Sequence, residues 1–232
     1  MRLVLANSRV YSCAFAIFGA VLMFSGIAQA DSWCKSVQAP HIHVKTDTDS
    51  VRYDYSKSEK QLNNFNIDTV NPYGDNVITD VGGLMEGRIN MGQRMKYGTL
   101  TNTHTNEICY WYTEITVTLH ISPTIYVANE FPKGTCKHNA ILGHEHQHVM
   151  IDREIVNKYA SQIGKALYEE VNARGVYGPV SVNKRAQLEA TLKNRMEKLL
   201  TTYSDKMNAE RRQRQQALDS LNEYERVNKV CK

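Results

Sequence analysis

The stretch Gly143-His144-Glu145-His146-Gln147-His148-Val149 constrains this 232-residue chain more than any other. Apolar residues follow it at mostly three- and four-residue spacing: Val149, Ile151, Ile155, Val156, Tyr159, Ile163 and Leu167. That is the period of a helix, and no proline interrupts the run between Pro132 and Pro179. At about 100° per residue, His144 and His148 lie only ~40° apart and one turn from each other, so their imidazoles can share one tetrahedral ion. Glu145 sits about 60° from His148, beside the ion and placed to take a proton rather than to ligate. His146 falls roughly 160° away, on the far side of the helix. A strand would instead put all three histidines on one face and Glu145 on the other, a metal ladder without a base. The helical periodicity favours the first arrangement, with His144 and His148 as metal ligands and Glu145 as the catalytic base.

The N-terminal 30 residues read as a secretory signal peptide. Arg2 and Arg9 supply a positive start without any acid, Val10 to Ala28 is nearly all apolar or small, and Ala28-Gln29-Ala30 is a small-x-small cleavage site. An uncleaved anchor is the other reading of so long an apolar run, but the cleavage site favours removal, which leaves no stable membrane span. Losing two arginines takes the formal charge from +4 to +2. So small a charge makes no electrostatic case for a nucleic-acid partner. Four cysteines remain after the signal: Cys34, Cys109, Cys136 and Cys231. In an exported protein, periplasmic or extracellular, they imply two disulfides with three pairings open. We expect Cys109 to pair with Cys136 and Cys34 with Cys231, tying the strand region to the metal helix and one chain end to the other.

Residues 31–130 read as mostly antiparallel β-structure. His41–Lys45 and Val51–Tyr55 alternate and are separated by Thr, Asp and Ser, the pattern of a hairpin. Ser58 is placed to cap a short helix with Leu62 and Phe65 inward. Gly82-Gly83, Gly87, Gly92 and Gly98 punctuate further short strands. Between Cys109 and Val127, Ile115, Val117, Leu119 and Ile121 alternate with Thr116, Thr118 and His120, which predicts a half-buried strand that Pro123 ends or leaves at an edge.

The metal helix is expected from Thr135–His138 to about Asn172. Gly175, Gly178 and Pro179 then break the chain. A second long helix is predicted from Asn183 to about Val227, on the stripe Leu188, Leu192, Met196, Leu199, Leu200, Tyr203 and Met207 resumed by Leu218, Leu221, Tyr224 and Val227. The polar tract Glu210–Gln216 reads as a solvated face, and contact with an anionic membrane is the weaker reading of it. The fold class is therefore α+β: a mostly antiparallel β region, a long metal-binding helix, and a second long C-terminal helix that closes a helical hairpin. The division is 31–180 as a zincin-like catalytic domain and 181–232 as a helical extension, through which a homodimer is compatible with the sequence.

The order of a signal peptide, a Tyr53-Asp54-Tyr55-Ser56 strand, a Cys109-led strand, and a Cys136-containing turn into His-Glu-x-x-His-Val resembles a bacterial secreted family of undefined function for which zinc-dependent proteolysis has been suggested. The resemblance covers roughly residues 50–170 and rests chiefly on the zincin-type metallopeptidase motif. It implies Zn2+ held by His144 and His148, Glu145 as base, and a peptide or protein substrate. The third ligand is open. No Gly and third His follow His148 as in metzincins, and no Asn-Glu-x-x-x-Asp motif of the thermolysin type is found. Asp152, one turn beyond His148, either orients that ring, serves as the third ligand, or is an ordinary surface acid. His138 and His120 remain candidates. Two non-hydrolytic readings stand beside the peptidase: a periplasmic metal-binding protein, and a helical interaction protein with a degenerate protease domain.

Overall fold

The computed structural model describes residues 33–36, 38–65, 70–74 and 79–231. The expected signal peptide lies outside them. No helix among the described residues is long and apolar enough to cross a membrane.

The sheet is organised around one strand. Strand β1 is His41–Thr48, β2 Arg52–Asp54, β3 Gly83–Asn102, β4 Glu107–Val127 and β5 Tyr177–Ser181. All four others pair with β4. β3 runs antiparallel along its whole length, while β5, β1 and β2 pair in turn with residues 107–110, 114–121 and 124–126. Since β3 occupies one edge throughout, these three share the other end to end.

The pairing corrects the antiparallel expectation. β1 and β2 are not a hairpin; both run parallel to β4. Alternation within a strand fixes which face is buried but carries nothing about its partner's direction. Pro123 lies inside β4, between the residues paired with β1 and those paired with β2, where no ladder donor is required of it. The alternation itself holds: Ile115, Val117, Leu119 and Ile121 are fully buried.

The glycines of 82–98 do not separate short strands; β3 is continuous from Gly83 to Asn102. Two of them give the long helix room. A Cβ on Gly83 would meet Ile141 Cγ2 at 2.3 Å and Glu145 Oε1 at 3.1 Å, and one on Gly87 would meet Asp152 Oδ2 at 2.6 Å.

Helix α1 is Glu59–Leu62, closed by a capping box on Ser58. Helix α2 is Cys136–Arg174; Thr135 caps its start, and Gly175 follows its end at φ 63°. Its inner face (Ile155, Val156, Tyr159, Ile163, Leu167) packs on the apolar face of β4 together with Leu192, Met196, Leu200 and Met207 of helix α3, Arg185–Leu218. Contacts between α2 and α3 run in opposite order along the chain: Glu170 with Arg195, Lys158 with Glu210, Asp152 with Arg211, His148 with Gln215. The helices are therefore antiparallel. The second long helix does not continue to Val227, because the chain breaks at Asp219–Ser220 and restarts as α4, Leu221–Lys229, with Ser220 as N-cap. The disulfides are Cys34–Cys109 and Cys136–Cys231, not the expected pairing. The break after α3 lets α4 reach the start of α2, and so brings Cys231 rather than Cys109 to Cys136.

Candidate metal centre

His144 and His148 project from one face of α2, as the four-residue spacing dictates. Their rings meet edge to face with centroids 4.9 Å apart, and the Nε2 atoms lie 3.2 Å from each other. Asp219 Oδ1 stands 3.0 Å from each Nε2. All three residues are buried. A tetrahedral ion with bonds of about 2.0–2.1 Å keeps its ligand atoms roughly 3.3 Å apart, so this triangle is nearly the base of such a tetrahedron. His144, His148 and Asp219 could hold a metal ion.

Asp219 is the third group that the sequence reading lacked. It follows the last residue of α3, where the helix ends rather than runs on. Ser220-x-x-Glu223 is the signal that would have shown it, since Ser with Glu three residues on marks a helix start. Ser220 does accept from Glu223 N, but the Glu223 side chain does not fold back to complete the box. Its Oε1 instead lies 3.3 Å from His144 Nδ1. Asp219 and Glu223, four residues apart across the helix break, thus both meet His144.

Both imidazoles are oriented from α3 and α4. Gln215 is buried within the polar tract read as solvated. Its Nε2 donates to His148 O at 3.2 Å and to Asp152 Oδ1 at 2.7 Å, so its Oε1 is the acceptor that faces His148 Nδ1 in a short contact. His148 Nδ1 is thus the donor, and Nε2 is turned to the triangle. Asp152 is fully buried and outside the triangle; it is held by Arg211 Nε at 2.7 Å and Arg211 Nη2 at 3.1 Å, and acts on His148 through Gln215. Arg211 Nη2 also donates to Gly87 O at 3.2 Å.

Glu145 is buried beside the pair, with its carboxylate close to Gly83 at the start of β3. Burial raises its carboxyl to about 6, against the opposing pull of His148 and His144. Tyr224 lies against His144, ring centroids 6.0 Å apart, and burial, Asp219 and Glu145 push its hydroxyl up, so it stays protonated. These groups line a cleft of about 790 Å³ between the start of β3, α2 and the α3–α4 junction.

The other histidines stand elsewhere. His120 bonds Asp47, Asp49 and Ser122 on the outer sheet face, His138 bonds Phe131 O, and His146 meets Tyr53. His41 and His43 stack on each other along β1. Glu154 pairs with Arg214.

A pH dependence follows. Burial alone would lower His148, but its hydrogen bond to Asp219 and the charges of Glu145 and Asp219 outweigh that and raise it to about 9. Because the folded value exceeds the ordinary 6.5, this histidine's stabilisation of metal-stripped protein is complete below pH 6.5 and lost as pH rises through about 9. A metal must displace that proton. Metal affinity is therefore expected to climb by up to about tenfold per pH unit across this window for each proton released. Competition titrations against a chelator at several pH values would measure it, and a flat profile would contradict the assignment.

Comparison with protein-family models, with curated proteins and with solved structures returned no match.

Proposed function

We propose that this chain is an exported zinc-dependent peptidase. The observation that carries the reading is the triangle of His144, His148 and Asp219 with Glu145 buried beside it and opening on the same cleft. Two imidazoles and one carboxylate in a near-tetrahedral base are the donor set of a catalytic zinc, which keeps one position for water or substrate. A peptide fits the cleft because one wall is β3. That strand has no partner on its outer edge among the described residues, and such an edge can pair with an extended chain. The two disulfides and the signal-like N-terminus support export.

When bound, the metal lowers the pKa of a water and polarises the scissile carbonyl. The chain's own groups do the rest. Glu145 takes the proton of the attacking water and returns it to the leaving amine nitrogen, a role suited by a pKa of about 6. Gln215 and Glu223 hold the two rings in the orientation that turns Nε2 inward. Tyr224, which lies against His144 and stays protonated, is the group we assign to donate to the oxyanion.

The test is metal content followed by digestion of an unbiased peptide library. About one zinc per chain, with cleavage lost on chelation and restored by zinc, is the expected result. Stoichiometric zinc with no cleavage would favour a metal-binding protein, and no zinc would remove the reading.

A further inference from the structure

Helix α4 is nine residues long and fully buries none of its side chains. Isolated helices under about 12 residues do not hold themselves in water. Yet α4 carries Glu223 and Tyr224, both against His144. Arg226 fixes the Glu223 carboxylate through Nε to Oε2 at 2.7 Å and Nη2 to Oε1 at 2.5 Å. Few contacts tie α4 to the start of α2. Val227 is partly buried against the cluster of Ile141 and Val149, Lys137 Nζ reaches Val227 O at 3.3 Å and Asn228 Oδ1 at 2.7 Å, and Cys136 is bonded to Cys231. Only the last is covalent.

We propose that Glu223 is a positioning residue for His144, and that the Cys136–Cys231 bond is what keeps it in place, so that metal affinity depends on the oxidation of this one disulfide. The proposal rests on the metal-centre reading above, and not on hydrolysis. The site would then be weak in a reducing compartment and reach full affinity only where disulfides form. The second disulfide makes a built-in comparison. Cys109 sits near the start of β4, whereas α2 meets β3 at Gly83–Gly87, paired with the other end of β4.

Zinc affinity of the full-length secreted form, read by competition with a chromophoric chelator, tests this. Joint Cys136→Ser and Cys231→Ser substitution is expected to weaken zinc binding by about 10–100-fold, the range seen when a group orienting a metal-bound histidine is lost. Joint Cys34→Ser and Cys109→Ser substitution should leave affinity within about twofold while lowering the melting temperature. Glu223→Ala should reproduce the first loss with the disulfide intact. Glu223→Gln, which keeps an acceptor for His144 Nδ1, should restore most of it. On wild type, a water-soluble phosphine breaks both S–S bonds; at each, the two sulfurs become thiols with protons from water, and the phosphine leaves as its oxide with the oxygen of that water. Alkylating those thiols keeps them from binding zinc, and the product should match the first variant. Equal losses from both cysteine pairs, or wild-type affinity in the Cys136/Cys231 or Glu223→Ala variants, would overturn the proposal. A wild type that takes up no zinc would overturn the metal-centre reading with it.

Discussion

Asp219→Ala is expected to release the metal. Three protein groups converge in the site, and removing one forfeits roughly a third of a binding free energy on the order of 12 kcal/mol, or about 4 kcal/mol, close to a 10³-fold loss of affinity. The effect should exceed that of Asp152→Ala. Asp152 meets His148 through Gln215 rather than joining the triangle, so its loss falls in the range of about 10–100-fold. Dialysis against chelator followed by metal analysis would separate the two. If Asp219→Ala held zinc as tightly as wild type while Asp152→Ala lost it, the third ligand would be Asp152 and the geometry described above would be wrong.

Glu145→Gln should give the opposite combination, with metal retained and turnover gone. The carboxylate lies outside the triangle, and an amide of the same shape leaves the three groups undisturbed. The metal is therefore expected within a fewfold of wild-type affinity. What is lost is a group that can accept and return a proton, worth about 10²–10⁴-fold in rate. Cleavage of a library-derived peptide, measured beside the zinc content of the same sample, checks both halves. Undiminished cleavage would remove Glu145 as the base.

What the sequence disclosed and what it withheld divide along the distance over which each signal acts. The His-Glu-x-x-His spacing, the Thr135 and Ser58 caps and the alternation of Ile115–Ile121 are local, set by helix and strand geometry within one or two turns. The partners of β1 and β2 are not. His41 pairs with Glu114, 73 residues on, and nothing in a strand of eight residues states whether its neighbour runs with it or against it. Asp219, the third group of the triangle, was hidden for a related reason. Leu218, Leu221, Tyr224 and Val227 keep helical spacing across Asp219–Ser220, so periodicity carried the helix over its own break. The polar tract misled in the same way. Arg211 and Gln215 look like solvent-facing residues in a window of their own helix, yet they turn inward to meet the buried Asp152 and His148. A buried polar side chain is explained by its partner, and here each partner sits about 60 residues away.

Asp219 stands 75 residues after His144 and 71 after His148. That separation sets an order of assembly. A chain threading out of a ribosome or a translocation pore presents the two histidines, their helix and the strand beneath it long before the aspartate arrives. Until then the histidine pair is a two-toothed clasp that a metal ion can enter and leave. If the site holds a metal as proposed, retention would begin only when the α3–α4 junction closes across α2, and metal loading would report on a finished fold rather than help to build one.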